Sequence, residues 1–208
     1  MPLLAQLAAR RSAEPRELTA PPPPPEVLQA AAELAMRAPD HQALRPVRFV
    51  HVGQQERAAL GELFARAAQA RGRDAVGMQM ARERAFVGPA LLAVVARIRD
   101  DVADVPPHEQ WLTVGAALMN LLNALHLQGF GAKVLGGSAA RSEVVRRAFC
   151  HEGEQIACWV IAGTLADAQA AAPTATRPPA PIPRDLLGDW TPDWTPDWAP
   201  DGAPGGVP

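Results

Sequence analysis

Two cysteines in 208 residues, Cys150 and Cys158, are too few for a disulfide framework. A reducing compartment is therefore the default expectation for this chain. The first fifteen residues, MPLLAQLAARRSAEP, also lack the order of a secretory signal, because their apolar stretch is short and the arginines follow it. These two absences predict a cytoplasmic protein.

Clustered basic charge and the common catalytic motifs are missing as well. The net charge is −2 and the pI is about 6.2, which argues against a nucleic-acid partner. No G-x-G-x-x-G, H-E-x-x-H or G-x-S-x-G motif occurs, which argues against a Rossmann domain, a zinc protease and an α/β-hydrolase. The cysteines and histidines have no zinc-ligand spacing, so no metal site is expected. Cys150, beside His151, is interpreted as a structural thiol.

One long segment lacks formal charge altogether. Residues 110–128 read QWLTVGAALMNLLNALHLQ, and their length approaches that of a membrane span. However, Asn120, Asn123, His126 and Gln128 would each be costly in lipid. A helix buried in the core of a soluble domain is the better interpretation, and no membrane partner is expected.

Hydrophobic periodicity predicts six helices and four strands. The helices are expected over residues 2–11, 26–38, 54–71, 74–86, 107–128 and 142–149, and the strands over residues 47–52, 91–98, 132–137 and 155–165. Because these elements do not alternate strictly, the chain is predicted to be an α+β domain. This domain is expected to cover residues 1–185. The proline- and tryptophan-rich tail over 186–208 carries a WTPD repeat that buries too little apolar surface to fold.

Two short segments carry side chains suited to binding an anionic ligand. The first is Arg10, Arg11 and Ser12, at the end of the first predicted helix. Guanidinium groups bind phosphate and carbonyl oxygens in bidentate fashion, and a hydroxyl beside them adds a further contact. The alternative is a solvated helix end, where cations suit the helix dipole.

The second segment is Met36-Arg37-Ala38-Pro39-Asp40-His41, where a helix stops at a proline. This stop brings Arg37, Asp40 and His41 together on one turn, and functional groups often occupy such loops. An ordinary exposed helix end with a turn aspartate is the alternative.

Taken together, the two segments resemble the nitroreductase family. The likeness rests on a helix ending in RRS, on MRAPDH about 25 residues later, on RPVRFVHV, and on QGFGAKVLGG followed by SEVVRRAF. It covers about residues 3–165 and is strongest with the smallest branch, the NAD(P)H nitroreductases of the YdjA type. The resemblance implies a nitroreductase-like fold with a central, mostly antiparallel sheet of about four strands, and a long buried helix at a homodimer interface.

The resemblance also implies FMN at the subunit interface, with NAD(P)H as co-substrate. FMN would be bound by one subunit through Arg10, Arg11 and Ser12, by the other subunit through Arg37 and His41, and along its edge by Val134, Leu135 and Gly136. The stretch that contacts the nicotinamide in this branch falls on Ala124, Leu125, His126, Leu127, Gln128 and Gly129. Since the cofactor carries the chemistry, no catalytic side chain is assigned.

Four positions and the chain end depart from the pattern of this branch. Residues 134–136 are valine, leucine and glycine where the branch has tryptophan, arginine and serine, and Val47 stands where it has tryptophan. The chain end, which packs on the partner subunit in this family, is replaced by the WTPD tail. Lys133 or Arg141 is a candidate to compensate for the missing cation, and backbone groups are the alternative.

The expected activity is ping-pong transfer of hydride from NAD(P)H through flavin to an organic acceptor such as a nitroaromatic or a quinone. Two alternatives stay open. One is a flavin-binding protein of the same fold that sequesters its ligand without turnover, which the changes at 134–136 suggest. The other is an interaction module that acts through its C-terminal tail.

Overall fold

The computed structural model describes residues 2–166. Its helices are α1 (Leu3–Ala8), α2 (Pro25–Ala35), α3 (Arg57–Gln69), α4 (Ala75–Glu83), α5 (Pro107–Leu127) and α6 (Glu143–Phe149). Its strands are β1 (Leu18–Thr19), β2 (Val47–Val52), β3 (Ala90–Arg97), β4 (Phe130–Leu135) and β5 (Glu154–Leu165). The predicted domain end at residue 185 and the predicted tail over 186–208 lie outside the described residues.

The five strands form one sheet with antiparallel pairing between neighbours. The order across the sheet is β4, β5, β3, β2, and the short β1 pairs with the C-terminal end of β5. Val160 of β5 lies between Leu92 of β3 and Val134 of β4. The prediction of an α+β domain with a mostly antiparallel sheet is confirmed, and β1 is an addition that was not predicted.

Helices cover both faces of the sheet. On one face, Leu121 and Leu125 of α5 are fully buried in a cluster with Val94 and Val160, and α2 completes this layer. On the other face, α3, α4 and α6 pack over the opposite side chains of β3 and β5. The uncharged segment is therefore a core helix, as predicted. Within residues 2–166, none of the helices combines the length and the apolar character of a membrane span.

Several elements end earlier than predicted. α1 stops at Ala8, because Ser12 pairs with Ala132 in a parallel bridge and the N–H of Ala13 donates to the carbonyl of Ala132 at 3.0 Å. α2 stops at Ala35, since the next residues tighten into a turn before Pro39. β4 stops at Leu135, so that Gly136 follows the strand.

An arginine that has no carboxylate partner among residues 2–166 is buried where α3 begins. Arg57 is 1% exposed and donates from Nη1 to the carbonyl of Ala85 at 2.7 Å. Its other contacts reach the carbonyls of Val52, Val87, Gly88 and Pro89 at 3.3–3.5 Å. The side chain thereby connects the end of β2 to the turn that enters β3. From the sequence, Arg57 was predicted only as part of the helix over residues 54–71.

A second internal contact joins β2 to β5 through an ion pair. Arg48 donates to both carboxylate oxygens of Glu154, at 2.8 and 2.6 Å, and to the carbonyl of Phe149. The hydrogen bonds from Arg48 lower the pKa of Glu154 to about 2, from an ordinary value of 4.5. Glu154 is nearly buried but the Arg48 side chain is 36% exposed, so solvent screens this pair in part.

Replacing Glu154 with glutamine should lower the free energy of unfolding by about 2 kcal/mol at neutral pH. A carboxyl group with a depressed pKa in the folded state stabilises that state fully above pH 4.5. Its contribution disappears as the pH falls through 2. The difference between wild type and Glu154→Gln should therefore shrink as urea denaturation is repeated from pH 7 to pH 3. Glu152→Gln, at an exposed position, is the control and should show no such trend.

Candidate functional site

The edge strand β4 brings two of the predicted binding segments together. The bridge between Ser12 and Ala132 lays residues 10–13 alongside β4, so that Arg10 to Ser12 run next to the strand that leads to residues 134–136. Because the carbonyl of Ala132 points outward to Ala13, strand alternation also directs the backbone N–H and C=O of Val134 outward from the sheet. This edge therefore offers backbone groups beside a guanidinium and a hydroxyl.

The cationic side chains at this edge differ in whether they form ion pairs within the chain. Arg11 donates to both oxygens of Glu17, at 2.8 and 2.6 Å, and Lys133 donates to both oxygens of Glu14, at 2.8 and 2.7 Å. The hydrogen bond from Arg11 is the main reason that the pKa of Glu17 falls to about 2. Within residues 2–166, no hydrogen bond or ion pair engages the side chain of Arg10. Arg10 is thus the arginine of this edge that is available to an anion.

The loop that carries His41 is held in an unusual backbone conformation. Gln42, Ala43 and Arg45 have positive φ values of 59°, 51° and 51°. Non-glycine residues adopt such values at a cost, and only where their surroundings enforce them. Here Asp40 enforces them, because its carboxylate accepts the backbone N–H groups of Leu44 at 3.2 Å and Arg45 at 2.7 Å.

The same loop is attached to α5. The Nδ1 of His41 lies 2.9 Å from a carboxylate oxygen of Glu109, and the hydroxyl of Thr113 donates to the carbonyl of Pro39 at 2.8 Å. Arg37 is exposed, and its side chain has no hydrogen bond or ion pair with the residues that the structure describes. The loop thus holds one paired histidine and one unpaired arginine close to the first turns of α5.

Within one chain, the predicted binding residues form two separate sets, segment 10–12 and the pair Arg37 and His41. In the described part, no hydrogen bond or ion pair connects Arg37 or His41 to the segment 10–12. Segment 10–12 lies along β4, whereas the His41 loop leads into β2 at the opposite edge of the sheet. These edges are three strand spacings apart, or roughly 14 Å.

The stretch 124–129 is split between the core and the surface. Ala124 and Leu125 are buried, whereas Leu127, Gln128 and Gly129 are exposed where α5 ends. His126 lies 2.8 Å from the carbonyl of Gln6 and so attaches α1 to α5. Of the three positions predicted to line the flavin edge, Val134 and Leu135 are half-buried and Gly136 is exposed.

A further face of α5 is apolar yet open to solvent. Leu112 is 70% exposed, and Trp111, Met119 and Leu127 are also large apolar side chains at the surface. Leu112 and Met119 are two helical turns apart and therefore lie on the same face. Leu34 of α2 extends this exposed surface, since α2 packs directly on α5. We call these exposed residues of α2 and α5 the apolar face.

The cysteines do not belong to the candidate site. Burial raises the pKa of Cys158 to about 11. The pKa of Cys150 is also raised, mainly by burial and to a smaller extent by the charge of Glu154. Thiols that stay protonated are poor nucleophiles and poor metal ligands. Among residues 2–166, no cluster of three or more metal-ligating side chains is present.

Two contributions to the site were missed in the sequence. Asp40 was grouped with Arg37 and His41, but its role in shaping the loop was not recognised, although an aspartate after a proline at a helix end is a turn signal. The pairing of Glu14 and Glu17 with Lys133 and Arg11 was not foreseen either. The spacing E-x-x-E gave a local signal, since it forms a capping box around the turn Pro15–Glu17.

Replacing Asp40 with alanine should lower the free energy of unfolding by about 1–2 kcal/mol, because two backbone N–H groups lose their acceptor. If the loop contributes to the ligand site, the affinity for FMN should fall as well, since His41 loses its fixed position. Urea denaturation and FMN titration measure the two effects. Asp100→Ala, at an exposed position in another loop, is the control. Loss of stability with unchanged FMN affinity would show that the loop is not part of the site.

Comparison with known proteins gives consistent similarities. The model of the nitroreductase family matches residues 7–164. A protein of Escherichia coli strain K12, named "Putative NAD(P)H nitroreductase YdjA", is 34% identical over 184 residues, which are 88% of this chain and 97% of that protein. Among solved structures, a nitroreductase-like family protein from Bacillus cereus has a TM-score of 0.71 at 17% identity, covering 88% of this chain and 92% of that one. A structure described as an oxidoreductase containing FMN has a TM-score of 0.58 at 25% identity, covering 83% and 80% of the two chains.

Proposed function

Because the chain belongs to the nitroreductase family, we propose that it is an FMN-dependent oxidoreductase that passes hydride from NAD(P)H to an organic acceptor. Nitroaromatics and quinones are the acceptor classes to test. The cofactor would bind between two copies of the chain, and turnover would be ping-pong. A cytoplasmic location belongs to the same proposal.

The observation that carries this proposal is the position of Arg10 and Ser12 beside the open edge of β4. FMN combines a phosphate dianion with a ring whose N1–C2 carbonyl side gains negative charge on reduction. A guanidinium, a hydroxyl and outward backbone groups are the donors that such a ligand needs. The residues present therefore fit FMN. The loss of tryptophan, arginine and serine at positions 134–136 removes side chains but leaves the backbone of Val134 available.

The opposite placement of Arg37 and His41 supports a site shared between two chains. Residues at the two edges of one sheet cannot easily contact one ring, but a second copy can bring its Arg37 loop to the β4 edge of the first. The apolar face supplies a surface for this pairing, because exposed side chains such as Leu112 and Met119 gain from burial.

In the proposed mechanism, the protein positions its ligands and controls their charge. When bound, FMN supplies the chemistry of accepting and donating hydride. Arg10 and the partner's Arg37 would stabilise negative charge on the bound ring, and the outward backbone N–H of Val134 would be available to donate to it. The half-buried side chains of Val134 and Leu135 would exclude water beside it. No side chain of the site is required to act as an acid or a base.

Flavin binding without turnover is the second candidate. It is favoured by the bidentate contact of Glu14 with Lys133, because this contact neutralises the cation nearest to the changed positions. Lys133 therefore does not compensate for the missing arginine in the described state, which leaves less positive charge to stabilise a reduced flavin.

The visible absorption spectrum of the purified protein, before and after anaerobic addition of NADPH or NADH, tests these proposals. We expect a yellow protein, or one that turns yellow with FMN, whose flavin absorbance is bleached by the reduced nicotinamide and restored by a nitroaromatic or a quinone. A protein that binds FMN but is not bleached supports binding without turnover. A colourless protein that takes up no FMN contradicts both candidates.

A further inference from the structure

The charge of the candidate site is set by two carboxylates as well as by its cations. Arg11 and Lys133 each make a bidentate contact, with Glu17 and Glu14 respectively, whereas Arg10 has no such contact within residues 2–166. All five side chains belong to segment 10–17 or to β4, which the Ser12 bridge holds side by side. Of Arg10, Arg11 and Lys133, the last two are therefore already paired with a carboxylate within the chain.

The carboxylate of Glu17 is held by the backbone as well as by Arg11. It accepts the backbone N–H of Glu14 at 2.5 Å, while the N–H of Glu17 donates to the backbone carbonyl of Glu14 at 2.8 Å and closes the turn Pro15–Glu17. Pro15 fixes the first residue of the turn. The Glu17 side chain is only 16% exposed. A carboxylate held by both backbone and guanidinium bonds stays in place without a ligand.

We propose that Glu14 and Glu17 are the residues that set the affinity of this site for the phosphate of its cofactor. They compete with that phosphate for Lys133 and Arg11. The inference rests on the proposed function and adds a determinant of cofactor specificity to it. An incoming dianion meets two carboxylates at close range and must displace them or accept their repulsion. A flavin without a phosphate group meets no comparable penalty.

Two related ligands should respond differently to the loss of one of these carboxylates. Removing one negative charge near a dianion should tighten its binding roughly tenfold, as expected for charges several ångströms apart in a partly screened site. Riboflavin carries the same ring but no phosphate, so its affinity should change less than about twofold. The ratio of the two affinities therefore reports on the phosphate and not on the ring pocket.

The experiment titrates the cofactor-stripped full-length protein with FMN and with riboflavin, and follows quenching of flavin fluorescence. Glu17→Gln and Glu14→Gln should each lower the Kd for FMN about tenfold and leave the Kd for riboflavin nearly unchanged. Glu152→Gln makes the same change in net charge at an exposed position away from this edge, and should alter neither Kd. The double variant Glu14→Gln with Lys133→Gln restores the charge balance and should bind FMN about as wild type does.

A variant that keeps the negative charge distinguishes two roles of Glu17: competition with the phosphate for Arg11, and structural support of the site. Glu17→Asp keeps the carboxylate but shortens the side chain, so it should bind FMN with nearly the affinity of wild type even if it is less stable. The inference is overturned if Glu17→Gln weakens FMN and riboflavin together, because Glu17 would then support the site. It is also overturned if Glu17→Asp tightens FMN binding as much as Glu17→Gln.

Failure of this inference and failure of the proposed function give different results. If wild type binds FMN and neither Glu14→Gln nor Glu17→Gln alters the ratio of FMN to riboflavin affinity, only the role of the carboxylates is refuted. If neither wild type nor any variant binds FMN or riboflavin, the proposed function and this inference fail together.

Discussion

Replacing Arg57 with leucine should lower the free energy of unfolding by roughly 3–5 kcal/mol. Leucine leaves the buried carbonyl of Ala85 without a donor and also removes the contacts with the half-buried turn before β3. Burial lowers the pKa of Arg57 from its usual value. The site still retains the cation because carbonyl oxygens surround it.

Urea denaturation monitored by circular dichroism measures this loss as a shift of the midpoint. Arg66→Leu, at an exposed position of the same helix, is the matched control and should change the free energy of unfolding by less than about 0.5 kcal/mol. Arg57→Lys keeps the charge but loses the guanidinium fork, and should fall between wild type and Arg57→Leu. Equal stability of Arg57→Leu and Arg66→Leu would show that the carbonyl contacts contribute little.

A glutamate in place of Leu112 should give a folded monomer that no longer binds FMN. Leu112 is the most exposed apolar side chain of α5, so the substitution costs the isolated chain almost nothing. A twofold interface uses each residue twice, and burial of one leucine contributes about 1.5–3 kcal/mol per copy. Two buried glutamates would add mutual repulsion, so the dimer should weaken by several orders of magnitude.

Sedimentation velocity gives the oligomeric state, and equilibrium dialysis gives bound FMN per chain. Val76→Glu is the matched control, because Val76 is a similarly exposed apolar residue on α4, on the other side of the sheet. This variant should stay dimeric and retain FMN. A wild-type monomer that binds FMN, or a Leu112→Glu monomer that still binds it, would refute a site built from two chains.

The main helices and strands could be predicted from the sequence because their local hydrophobic patterns are strong. The uncharged run from residue 110 predicted α5 to within one residue at its C-terminal end, and the apolar run after Pro89 predicted β3. The first pattern continues over several helical turns and the second over a whole strand, and hydrophobic patterns of that length predict secondary structure reliably. β1 escaped prediction because its two residues are too few to form any period.

The candidate site was only partly readable, because its components are joined by contacts distant in sequence. Arg10, Ser12, Arg37 and His41 were singled out from local chemistry and from the resemblance. That segment 10–12 leaves the helix and lies beside β4 depends on Ala132, which is 120 residues away in sequence from Ser12. A helix forms through bonds between near neighbours, so propensity alone extended it to residue 11. The pairing of Lys133 with Glu14 has the same long-range origin.

The sequence by itself determined the α+β class, the order of the major helices and strands, and the family to which the chain belongs. These features depend on apolar periodicity, helix-ending prolines and short motifs, all of which act within a few residues of the chain. Only the tertiary structure decided that Arg57 lies buried among carbonyls, that Asp40 shapes the loop before β2, and that Glu14 and Glu17 neutralise two of the cations beside β4. The charge state and the burial of a side chain depend on which groups folding places next to it.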